Sequence, residues 1–161
     1  MNSHRTAPLH RSRLGVLALA ALATLTAGAL TGCSVVDELA YRQSKSDYAT
    51  LAEAPDTSLA HADWVPADAT DIHIVETNRA DAVETAAVLV TSSSALDPTV
   101  CAPTERLSSA AYSIEGAPDP YKAKDAFACG DWTVIASTDG WFGWTPNSPT
   151  EAEHSPSAAA D

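Results

Sequence analysis

Apolar and polar residues alternate most regularly in two regions of the chain. Ile72-His73-Ile74-Val75-Glu76 predicts a strand with its isoleucines on one face. Val83 to Ser92, centred on Val88-Leu89-Val90, is the most β-rich run, and Asn78-Arg79-Ala80-Asp81 supplies a turn before it. These two segments are expected to pair as an antiparallel hairpin. A second hairpin follows: Asp131 to Ser137 as a strand, Thr138-Asp139-Gly140 as the turn, and Trp141-Phe142-Gly143-Trp144-Thr145 as the return. Ala110 to Ile114 reads as a further short strand and Tyr121 to Ala128 as a short helix. Pro66 opens a single helical turn, because proline suits the first position of a helix. The pattern therefore predicts an α+β or mainly β fold: one antiparallel sheet of about four or five strands with one or two short helices.

The flanks lack this periodicity. Ser34 to Ala60 is built from Ala, Ser, Thr, Asp and Pro with few large apolar residues, a composition that favours a tether over burial. The expected organisation is a flexible tether over 33–62, a globular domain over 63–146 and a disordered acidic tail over 147–161. Asp97-Pro98 and Ala102-Pro103 mark an irregular stretch between the hairpins.

Ahead of the tether stands a different pattern. Arg5, Arg11 and Arg13 precede an uncharged run from Leu14 to Leu30, and no acid occurs before Asp37. A basic region, an apolar region and small residues in that order make an export signal. A membrane-spanning helix would want about 20 apolar residues, whereas this run is shorter and diluted by Thr24, Thr26 and Gly28. Leu30-Thr31-Gly32-Cys33 resembles the processing box of bacterial lipoproteins. The resemblance implies removal of residues 1–32 and a diacylglycerol thioether on Cys33. The protein would then be held by lipid on the extracytoplasmic face of the cell membrane, with the membrane as its first partner. One acyl chain anchors only marginally, at about 0.8 kcal/mol per buried methylene, so two or more chains make the attachment durable.

Charge narrows the partners. From Cys33 onward the chain has 21 acids and 6 basic residues, a net −15. That excess argues against nucleic acid, because almost nothing is available to neutralise phosphates. It argues equally against electrostatic attachment to anionic lipid. Cys101 and Cys129 are the two cysteines left once Cys33 is acylated, and outside the cell an even pair reads as a disulfide. Closing that loop contributes roughly 3.5 kcal/mol in the chain-entropy account, which matters for a domain this small.

Candidate chemistry is sparse. Asp71 and His73 fall on one strand face with Glu76 opposite, two groups where a metal needs three or four ligands. His61 and His154 lie in the flanking segments. There is no Gly-x-Ser-x-Gly, no Ser-x-x-Lys and no glycine-rich phosphate loop, so neither a catalytic residue nor a cofactor is assigned. The informative cluster is aromatic. Trp132, Trp141, Phe142 and Trp144 crowd one hairpin, with Phe142 and Trp144 on one face and Trp141 on the other. One face must cover the core, and an aromatic left on the other could stack on a sugar or pack on a protein.

Trp64-Val65-Pro66 with Ala69-Thr70-Asp71-Ile72, the mid-chain Cys101, Cys129-Gly130-Asp131-Trp132 and the closing Trp144-Thr145-Pro146 together resemble a group of small actinobacterial lipoproteins and secreted proteins. The resemblance covers roughly residues 63–146. It implies a shared fold and an envelope location, and no activity. The expected function is accordingly that of a non-catalytic binding or accessory domain at the cell envelope, meeting an envelope protein or a wall glycan through Trp141, Phe142 or Trp144. The alternative is a small envelope hydrolase or metal-dependent enzyme whose site is dispersed along the chain.

Overall fold

The computed structural model describes residues 42–80 and 82–157. Cys33, the leader and residues 158–161 lie outside them. Seven strands form one sheet: β1 (Gln43–Thr50), β2 (Thr70–Thr77), β3 (Ala86–Thr91), β4 (Ala102–Thr104), β5 (Ala126–Cys129), β6 (Trp132–Ala136) and β7 (Gly140–Thr145). Their order across the sheet is β1-β2-β3-β7-β6-β5-β4, and every neighbouring pair is antiparallel. The fold is mainly β, as the alternation predicts, but the sheet has seven strands and not four or five.

The two expected hairpins form its centre. β2 pairs with β3 through Ile74↔Val88, β6 pairs with β7 through Val134↔Gly143, and β3 joins β7 through Val88↔Gly143. Period-2 alternation then sorts the side chains into two layers. On the first face lie Ile72, Ile74, Val88, Val90, Val134 and the cystine, all buried. Phe142, Trp144, Ile135, Ala87 and Ala126 are buried on the second. Both faces are covered, and the covers are mostly irregular chain. The segment between β1 and β2 folds over the first face and seats Trp64 there, 2 % exposed. The stretch between β4 and β5 lies over the second face with Tyr112, Ile114 and Ala117.

Glycine at 143 is dictated by this packing. A Cβ there would come 2.5 Å from Trp64 Cζ2, so only a bare backbone admits the indole. Cys101 and Cys129 are disulfide-bonded with Cα atoms 4.3 Å apart. The bridge sits beside the first rung of the β4–β5 pair, Ala102↔Ala128, and staples the edge of the sheet.

Several expectations are corrected. The segment read as a tether is structured from Gln43: β1 pairs with β2 over its length, and Ala54 and Ala60 are buried in the first-face core. Ala110–Ile114 is irregular and not a strand. Tyr121–Ala128 is not a helix; a 3-10 turn at Pro120–Lys122 gives way to β5, which pairs on both sides. The expected tail contributes a short helix, α1 (Pro149–Ala152), begun by a capping box. Ser148 Oγ accepts from Glu151 N–H and a Glu151 carboxylate oxygen accepts from Ser148 N–H. Beyond α1, Ser155 is buried and its hydroxyl accepts from Gly130 N–H at 2.7 Å.

Candidate functional site

The expected aromatic face divides as alternation requires. Phe142 and Trp144 are each 1 % exposed and belong to the core, so neither is available to a ligand. Their burial is specific: Trp144 Nε1 donates to Ser108 Oγ at 2.9 Å, and that hydroxyl pairs with Thr133 Oγ1 at 3.2 Å. Trp141 falls on the opposite face and is half-buried. Of the three candidates, it is the one that reaches solvent.

Trp141 stands in a shallow cleft of about 500 Å³ at the end of the sheet where β3 runs out and β7 begins. Its indole is fixed at two points. Nε1–H donates to the Ser94 carbonyl at 2.9 Å, and Phe127 meets the ring edge-on at 5.8 Å between centroids. The opposite wall is Thr91-Ser92-Ser93-Ser94, and the β6–β7 turn contributes Thr138 and Asp139.

The serine wall is held by one carboxylate. Asp68 accepts from Ser92 Oγ at 2.5 Å, from Ser93 Oγ at 3.0 Å and from Ser93 N–H at 3.2 Å. These bonds, the Ser92 hydroxyl foremost, draw its carboxyl pKa down to about 2, so it stays charged and keeps accepting. Ser92 N–H reaches the Asp139 carbonyl at 2.9 Å and Ser137 N–H the Gly140 carbonyl, which ties the turn to the wall. Gly140 permits that closeness, since a Cβ there would lie 2.2 Å from the Val90 carbonyl oxygen. The Thr138 hydroxyl and the Asp139 carboxylate have no partner among the described residues and face a preformed cleft. A ring platform beside hydroxyls and one open carboxylate is suited to polyhydroxylated ligands: apolar C–H faces meet the indole, and vicinal hydroxyls donate to the carboxylate.

The histidines resolve differently. Asp71 and His73 do come together, with His73 Nε2 at 3.3 Å from Asp71 Oδ1. Asp71 reaches it from a left-handed backbone, φ 48°, where the β2–β3 register shifts. Asp47 on β1 adds a contact that the linear pattern does not reveal, at 2.5 Å from Nδ1. His73 is thus bracketed by two carboxylates, and neither partner is a hydroxyl or thiol that it could activate. His61 pairs with the Ala54 carbonyl and His154 with that of Thr150, both local ties within the covering segments. Among the described residues no three His, Cys, Asp or Glu side chains converge to hold a metal ion. No helix among them is long and apolar enough to cross a membrane.

Comparison with protein-family models, with curated proteins and with solved structures returns no match for this chain, so its function has to be argued from its own geometry.

Proposed function

We propose that the protein is a lipid-anchored, non-catalytic binding domain on the extracytoplasmic face of the membrane, and that it recognises a neutral saccharide of the cell wall through the Trp141 cleft. The observation that carries this reading is the half-exposed, doubly fixed Trp141 beside the Thr138 hydroxyl and the open Asp139 carboxylate. The net −15 from Cys33 onward, 6 basic residues against 21 acids, favours an uncharged glycan over an anionic wall polymer, which it would repel. Anchoring rests on the Leu30-Thr31-Gly32-Cys33 box and the basic and apolar leader before it.

Neutral wall oligosaccharides titrated into the purified protein, followed by tryptophan fluorescence, test the recognition. The expected result is a saturable change that Trp141→Ala weakens by about tenfold or more, the scale of a central aromatic contact. A response equal in wild type and variant, or none in wild type, removes the cleft from consideration. Localisation is tested separately: Cys33→Ala is expected to leave the membrane fraction, and its retention there would refute the lipid anchor.

A further inference from the structure

A second groove, which shares no lining residue with the Trp141 cleft, has different chemistry. It lies between the segment Ala62-Asp63-Trp64 and the β5–β6 turn Gly130-Asp131-Trp132, and encloses about 420 Å³. Trp132 is half-buried and packs on Trp64 with ring centroids 5.7 Å apart at 53°. Trp64 is held against Gly143 and lines the back, so Trp132 is the indole whose surface a ligand can meet.

The turn carrying Trp132 is unusually well fixed. Gly130 takes a left-handed φ of 60°. The Asp131 carbonyl accepts from Thr145 Oγ1 at 2.9 Å and from Asn147 N–H at 3.0 Å. Asn147 Nδ2 in turn donates to the Gly130 carbonyl at 2.9 Å. All these bonds use backbone of the turn. The Asp131 carboxylate makes none, and neither does that of Asp63; both side chains are exposed at the groove without a partner among the described residues. Among the described residues no Lys, Arg or His lines the groove, and Leu59 and Val100 supply apolar wall.

From this arrangement we infer that the groove binds a lysine side chain of a partner polypeptide. An ammonium group over the Trp132 indole gains cation–π attraction, strongest for tryptophan among the aromatic rings. Two open carboxylates complete the charge, and the methylene stem lies along Leu59 and Val100, as amphipathic side chains do on apolar surface. A bare metal ion does not fit, because two carboxylates are short of a ligand set. The inference is independent of the Trp141 cleft. Its residues are separate, its ligand is cationic and not a neutral sugar, and either site can fail alone.

The test uses the full purified chain and Nα-acetyl-lysine N-methylamide as probe, with the Nε-acetylated, uncharged analogue as control. The readout is the indole N–H resonance of Trp132, assigned by Trp132→Phe, with that of buried Trp144 reporting the integrity of the core. The expected result is a saturable shift of the Trp132 signal with millimolar affinity, several-fold weaker at high salt because exposed charges are screened. The uncharged analogue leaves the signal in place. Asp63→Asn with Asp131→Asn weakens binding by about tenfold or more while the Trp144 resonance is unmoved, since neither carboxylate supports the fold. Should the double variant misfold, Asp131→Asn alone carries the comparison. No saturable shift, an equal shift with the uncharged analogue, or full binding by the folded variant would each overturn the inference.

Discussion

The two faces of the sheet are closed by different means. Over the first, the irregular segment between β1 and β2 seats Trp64 on Gly143 among Ile72, Ile74, Val88, Val90 and Val134, and the Cys101–Cys129 bridge holds the edge. Shape and hydrocarbon do the work there. Over the second, Trp144 and Phe142 fill the layer, but the lid is tied down by a polar chain. Ser108 Oγ accepts from Trp144 Nε1 and pairs with Thr133, while the fully buried Glu151 of α1 accepts from the N–H groups of Leu107, Ser108 and Ser148. An apolar closure tolerates partial loss in proportion to the area exposed. A polar one fails when any member loses its partner, because a buried unpaired group carries its whole desolvation cost.

The largest effect should come from emptying the first face. Trp64→Ala is expected to destabilise by about 3–5 kcal/mol, the range for a large aromatic removed from a core, and a urea titration measures it. Removing the staple with Cys101→Ala and Cys129→Ala should cost roughly 3.5 kcal/mol by loop-closure entropy, with the sheet retained in circular dichroism. A smaller loss, about 1–3 kcal/mol, is expected for Glu151→Gln on the second face. The amide keeps the shape but turns one acceptor into a donor facing backbone N–H groups.

The same residue predicts a difference in pH response. Burial pushes the Glu151 pKa up, but the hydrogen bonds from Ser108, Ser148 and Leu107 outweigh it and hold the group below its ordinary 4.5. A carboxyl lowered on folding stabilises the native state above its unfolded value. That stability is lost as pH falls through 4.5 towards the folded value. Thermal melts from neutral to acidic pH should show the decline, and its slope should be shallower in Glu151→Gln. Equal slopes would mean that the second face does not depend on this charge.

The strands legible in the chain are those with a buried, β-rich face: β2, β3, β6 and β7. The missed ones share a cause. β1 reads Gln-Ser-Lys-Ser-Asp-Tyr-Ala-Thr, and as an edge strand it has Tyr48 as its large apolar contact with the core. β4 is three residues around Pro103, which an edge admits and an interior strand would not. Ala126-Phe127-Ala128-Cys129 resembles a helix end until pairing on both sides makes it a strand. Polar composition also concealed α1, although Ser148-Pro149-Thr150-Glu151 displays the capping-box spacing openly. Trp141 was visible as a candidate because its neighbours in the hairpin are local. The groove at Trp132 was not, since its other wall arrives from Asp63 and Trp64, far away along the chain.

Because β1 starts at Gln43, any acyl group on Cys33 is only ten residues from the first rung of the sheet. Even fully stretched, that connection reaches about 35 Å, roughly the thickness of the lipid layer it would be rooted in. An anchored copy would work within that reach of the bilayer, and whatever it captured would have to come as close.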